Sequence, residues 1–79
     1  MTLASTFGPP KEHDRRTVWQ ATTLAADLSA IWRPKCQTFT FYRNRERVVL
    51  ACVANAKVRP DLVLDMMEPK ILASFGGEL

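Results

Sequence analysis

Between Cys36 and Ala54, CQTFTFYRNRERVVLACVA, two largely apolar runs flank a polar one. Cys36–Arg43 and Arg47–Ala54 are rich in β-branched and aromatic side chains, which predicts two strands. The polar run Arg43-Asn44-Arg45-Glu46-Arg47 between them predicts the turn of a β-hairpin. With Tyr42 opposite Val48, Phe39 and Phe41 share a face with Val49, Ala51 and Val53. Thr38, Thr40 and Tyr42 then share the other with Val48, Leu50 and Cys52. The first face is the one to bury.

Upstream the spacing changes. Val18, Ala21, Ala25, Leu28 and Trp32 recur at helical intervals, flanked by Leu24 and Ile31, and predict an amphipathic helix. Asp14 as N-cap, or Thr17 with Gln20 as a capping box, would open it. Pro34 would close it at Trp32 or Arg33. Trp19 does not fit, since it points roughly 140° from the centre of the stripe. Either the helix begins near Thr22 and Trp19 packs from an extended segment, or Trp19 is an exposed aromatic anchor for a partner.

Residues 1–11, closed by Gly8-Pro9-Pro10, read as a flexible arm, which leaves residues 12–79 as the domain. Beyond the hairpin, Pro60 followed by Asp61 resembles a helix start. Leu62 with Met66, and Val63 with Met67, would stack one turn apart, although Leu62–Leu64 also reads as a short strand. Pro69 should end that element, with Lys70–Phe75 a second short piece before Gly76-Gly77. The fold class that follows is α+β: an N-terminal amphipathic helix on a small antiparallel hairpin or sheet, then a short C-terminal helix or strand.

Composition narrows this further. A chain of 79 residues has room for one core, and 47% hydrophobic with 24% charged residues is ordinary for a globular protein. The two cysteines, diagonal in the register above, predict two small buried thiols rather than a bridge. Without a secretory leader or a run approaching the ~20 apolar residues of a membrane span, the reading is cytoplasmic. The net charge of +3 is unevenly spread. Residues 1–32 balance, residues 33–59 carry +6, and the segment from Pro60 carries −3. Such polarity suits steering toward an acidic partner.

Catalytic chemistry is argued against. His13, the single histidine, lies in a charged run with nothing to orient it. Neither Cys36 nor Cys52 has a second histidine to activate it. Phosphate-loop and zinc spacings are missing, so no cofactor or metal is expected. The expectation is a protein that is not an enzyme.

The positive signal is basic. Arg43, Arg45 and Arg47 recur at spacing two across the turn and should project to one side, with guanidinium groups suited to phosphates or carboxylates. Tyr42 beside them could stack on a partner. Arg33, Lys35, Lys57 and Arg59 form a secondary cluster at the opposite end of the two strands. No helix-turn-helix, zinc-finger or RNA-recognition signature accompanies them.

In its length, its lack of catalytic motifs and its mixed helix–hairpin pattern, the chain resembles the small inhibitors encoded by phages and mobile elements, anti-CRISPR proteins among them. That resemblance implies binding to a protein subunit of a larger host nucleoprotein complex and blocking access of nucleic acid or a partner. The contacts would be Arg43, Arg45, Arg47, Tyr42 and Trp19. The competing expectation is a small nucleic-acid-binding accessory protein, monomeric or weakly dimeric through a sheet edge.

Overall fold

A computed structural model describes residues 3–74. Five antiparallel strands form one sheet in sequence order. They are β1 (Lys11–His13), β2 (Arg16–Thr22), β3 (Asp27–Arg33), β4 (Thr38–Arg43) and β5 (Glu46–Cys52). A short helix α1 (Leu3–Phe7) precedes the sheet and a longer one, α2 (Pro60–Ser74), follows it. The class is α+β. The arrangement is not a helix on a hairpin, because β4 and β5 are two strands of a larger meander.

The expected helix from Asp14 to Trp32 is overturned: this stretch is β2, a turn and β3. Thr17, Trp19 and Ala21 alternate with Val18, Gln20 and Thr22, and Leu28, Ala30 and Trp32 alternate with Ser29, Ile31 and Arg33. That period of two fits the density of β-branched and aromatic residues better than a stripe resting on three small or turn-sited positions. The turn is built by Thr23. Its Oγ1 accepts from the Ala25 and Ala26 N–H groups (3.2 and 3.0 Å) and donates to the Ala26 carbonyl (3.0 Å). A side chain that closes its own backbone in this way competes with helix formation.

Two of the other turns are two-residue loops. Asp14, Arg15, Asn44 and Arg45 take φ values of 52°, 62°, 51° and 67°, so both central residues of each loop are left-handed. That geometry matches the twist of the flanking strands. Asn44 also ties its turn to β3. Its N–H donates to the Asp27 carbonyl (2.8 Å) and its Oδ1 accepts from the Asp27 N–H (3.0 Å). Asn44→Ala removes the side-chain acceptor and puts a Cβ-bearing residue without local polar support at positive φ. The expected loss is about 1.5 kcal/mol by urea denaturation, and Asn44→Gly should cost less because it relieves the backbone term.

The core lies on one face of the sheet. Across the strands Trp19, Ala30, Phe41 and Val49 form one row, and Thr17, Trp32, Phe39 and Ala51 the next. All but Val49 are buried, and Val49 packs against the cluster. Trp19 and Phe39 meet at 6.2 Å between ring centroids. Thr17 satisfies its hydroxyl by donating to the Glu12 carboxylate (2.9 Å), which holds β1 against β2.

Both helices cover this face. The expected flexible arm is instead α1, with Leu3 and Phe7 one turn apart and both buried. Phe7 stands edge-on to Phe41 at 6.3 Å, and the Leu3 N–H donates to Glu68 Oε1 of α2 (2.7 Å). Gly8, at φ 70°, ends α1 with its N–H on the Ala4 carbonyl (2.9 Å). Pro9 and Pro10 thus follow a helix rather than a disordered start.

α2 begins at Pro60 as its sequence suggests and buries Val63, Leu64, Met67 and Ile71. It does not stop at Pro69, as expected, but runs through it. Pro69 is on the solvent side, where a carbonyl deprived of its partner meets water, and the buried Met67 and Ile71 anchor the helix on either side. The expected stop at Gly76-Gly77, and Phe75 before it, lie outside the described residues. No helix among the described residues is long and apolar enough to cross a membrane.

Candidate interaction surface

Among the described residues both helices lie on one face and no helix packs on the other, although Thr40 at its centre is only 3% exposed. Its occupants follow from the registers. One row is Lys11, Val18, Ile31, Thr40 and Leu50; beside it run Gln20, Ser29, Tyr42 and Arg47. On the opposite flank are His13, Arg16, Arg33, Thr38 and Cys52, where Arg16 meets Arg33 one step past the last paired residues of β2 and β3. The middle is aliphatic and both flanks are basic.

The expected hairpin-tip cluster does not form. The tight turn and a register shift between Phe41 and Tyr42 separate its three arginines. Arg43 stands in the row of Ala21 and Leu28, on the helix-covered side of the sheet. Arg45 sits in the turn and lines an open cleft of about 300 Å³ with Gln20, Ala21, Thr22, Asp27, Leu28 and Ser29. Arg47 alone is on the open face, directly opposite Tyr42. Spacing of two projects side chains together only along one strand, and these arginines straddle a turn.

Trp19 is not an exposed anchor. At 2% exposure it is a core residue. It packs from an extended segment, because odd-numbered positions of β2 all face the helices, but no helix begins near Thr22, which ends β2. Tyr42 is half-buried on the open face, where its neighbours are Ser29 and Arg47.

At the other end of the strands the basic character is stronger than the sequence alone suggested. Arg33 and Lys35 stand at the β3–β4 turn, and Lys57 and Arg59 follow β5. The two-residue turn Asp14-Arg15 and Arg16 join them there, which a helical reading of this segment hid. The alternation of Thr17, Trp19 and Ala21 was the signal that could have placed Arg16 on the open face. Arg16 pairs with Asp14 (3.2 Å) and Arg59 with Asp61 (3.4 Å), both exposed. Each such surface pair contributes little, about 0.5 kcal/mol.

Arg16 and Arg33 are like charges on neighbouring strands, and Arg16 is hydrogen-bonded to Asp14. Directly opposed like charges destabilise a sheet, and an anion laid across them would relieve the repulsion. Asp61, Asp65 and Glu68 lie on the opposite layer: Asp61 and Asp65 are exposed on α2, while Glu68 is engaged by Leu3. The charge segregation of the sequence thus becomes a basic sheet face and an acidic helical layer.

The cysteines differ from expectation as well. Both are free and exposed. Cys36 sits in the β3–β4 turn and Cys52 on the open face of β5, and neither position is covered by a helix. Gln37, at φ 56°, closes that turn with Nε2 donating to the Val53 and Ala54 carbonyls (2.9 and 2.6 Å). Among the described residues no group of three or more His, Cys, Asp or Glu could hold a metal ion. The chain matches no protein-family model, and no curated protein or solved structure matches it significantly.

Proposed function

We propose that this chain is a non-catalytic interaction protein, an inhibitor of the phage or mobile-element kind, that occupies an acidic protein surface of a larger host nucleoprotein complex. The observation that carries the reading is the open sheet face: an aliphatic middle of Val18, Ile31 and Leu50 between Arg16 and Arg33 on one flank and Tyr42 and Arg47 on the other. Apolar centres ringed by charge suit protein partners, with the charges setting orientation and encounter rate. Obstruction needs no chemistry beyond that contact. The acidic layer on α2 turns the basic face toward such a partner.

A nucleic-acid platform would stack bases on several aromatic side chains. Among the described residues Tyr42 is the one Phe, Tyr or Trp on the open face, as the tryptophans and Phe7, Phe39 and Phe41 are all buried. That favours a protein surface over the accessory-binder alternative.

The test is retention of a host complex by the wild type and by an Arg16→Ala/Arg33→Ala/Arg47→Ala variant, with and without nuclease. The wild type should hold a discrete protein complex that survives nuclease and weakens as salt rises. The variant should retain less than about a tenth of it, since each desolvated charge contact is worth on the order of 1 kcal/mol. Material that disappears with nuclease would overturn the reading in favour of nucleic-acid binding. Equal retention by the variant would remove the open face from the mechanism.

A further inference from the structure

The two edges of the sheet are unlike. β1 is three residues long, carries Lys11 and His13, and is preceded by Pro9 and Pro10. Those features block the addition of another strand. β5 is seven residues long, has no proline, and carries its charges, Glu46 and Arg47, only in its first two residues. From Val48 to Ala56 there is no charged residue and no proline, and the register shift that bends the strand lies at its start, next to Tyr42.

The exposed large apolar residues gather around the same edge. Val48 and Leu50 lie on the open face of β5, and Leu62 and Met66 lie on α2; only Leu24, at the β2–β3 turn, is elsewhere. α1 packs on β2 and on α2, while α2 packs on β5. The side of α2 that carries Glu68 therefore faces α1. At 100° per residue, Met66 and Leu62 fall on the other side, above the β5 edge.

We propose that the chain forms a two-fold homodimer by antiparallel pairing of β5 with β5 of a second copy. The backbone sets the register. The Val53 N–H donates to the Gln37 carbonyl (2.8 Å), toward β4. By alternation the backbone groups of Ala51 and Val49 also point to β4, and those of Leu50 and Cys52 point outward.

A two-fold axis at Ala51 then pairs Leu50 with the second copy's Cys52, and Cys52 with its Leu50, satisfying all the outward groups between them. Ala51 meets its own copy at the closer, non-bonded position, where a small side chain fits. This register runs from Val49 to Val53 and avoids the bend at Val48.

No charged residue lies in the paired stretch from Val49 to Val53. α2 packs on β5, so the two copies of α2 lie on the same side of the joined sheet, with Met66 and Leu62, and Lys70 one turn beyond Met66, on the side toward the second copy. A second copy is self-complementary to this edge in its backbone groups. The pairing also makes one continuous open face from two.

The inference is independent of the partner proposed above, and sedimentation of the full chain across a dilution series tests it. The mass should approach twice the 8.9 kDa of one chain and fall toward it on dilution. Leu50→Lys and Met66→Lys, both at positions exposed in the single chain, should each weaken self-association at least about tenfold while leaving the circular dichroism unchanged. Register is read by oxidation. Leu50→Cys in a Cys36→Ser background should give a disulfide-linked dimer through Cys52 of the second copy, and adding Cys52→Ser should abolish it. Three results would overturn the proposal: a monomer at every concentration, a dimer indifferent to both lysine variants, or cross-linking that does not need Cys52.

Discussion

Trp19→Ala should destabilise the fold by about 3–5 kcal/mol, the cost of emptying a large aromatic site in a packed core. A domain of 79 residues is stable by about 4–12 kcal/mol, so the variant should lose between about a quarter and all of its stability. Trp19 is 2% exposed, stacks obliquely on Phe39 and sits in the row of Ala30, Phe41 and Val49. Removing it opens the centre of the row that Phe7 of α1 meets through Phe41. Trp19→Phe should retain most of the stability, since it keeps an aromatic ring at the site. Urea denaturation followed by circular dichroism decides the matter. On a helix with Trp19 outward, alanine would change stability by less than about 0.5 kcal/mol, so a small effect would refute the strand assignment itself.

Phe7→Ala should cost about 3 kcal/mol, nearly as much, although it lies before two prolines in a segment whose sequence reads as an arm. Its ring is buried edge-on against Phe41, and with Leu3 it closes the core on the β2 side of α2. A chain this small buries a modest share of its surface, so losing one of its lids is felt throughout. The thermal midpoint should drop by roughly 12–24 °C, taking 4–8 °C per kcal/mol for a domain of this size. Removing residues 1–8 should be at least as damaging. If truncation left the midpoint unchanged, α1 would not be a part of the folded unit.

Both effects concern residues whose placement depends on partners far away in the chain, and the sequence errs there for the same reason. Between Val18 and Trp32 the pattern satisfies two periods at once. A helical stripe is met by Val18, Ala21, Ala25, Leu28 and Trp32, but Ala25 is exposed in a turn and Ala21 is only half-buried. The strand pattern places Trp19, Leu28, Ala30 and Trp32 in the core together. Local spacing alone does not separate these outcomes. The edge of β4 does, because Phe39, Phe41 and their neighbours offer a ladder that β3 can pair with and an isolated helix cannot use.

Leu3 and Phe7 repeat the lesson. They are one helical turn apart, but so short a segment forms a stable helix only when a groove receives it.

The sequence by itself determined the β4–β5 pairing, its buried face of Phe39, Phe41, Ala51 and Val53, and its register from Thr38 to Phe41. It also marked Pro60 as the start of an element, without separating helix from strand beyond it, and set the division of charge between the middle and the end of the chain. These rest on short-range alternation, capping residues and composition, which act within a few residues. Tertiary structure alone decided that β2 and β3 are strands, that α1 is a lid, and that Pro69 is tolerated. It likewise decided that Arg43, Arg45 and Arg47 diverge while Arg16 and Arg33 converge. Each of those turns on which surface is available to bury against, and that surface exists only once the sheet has formed.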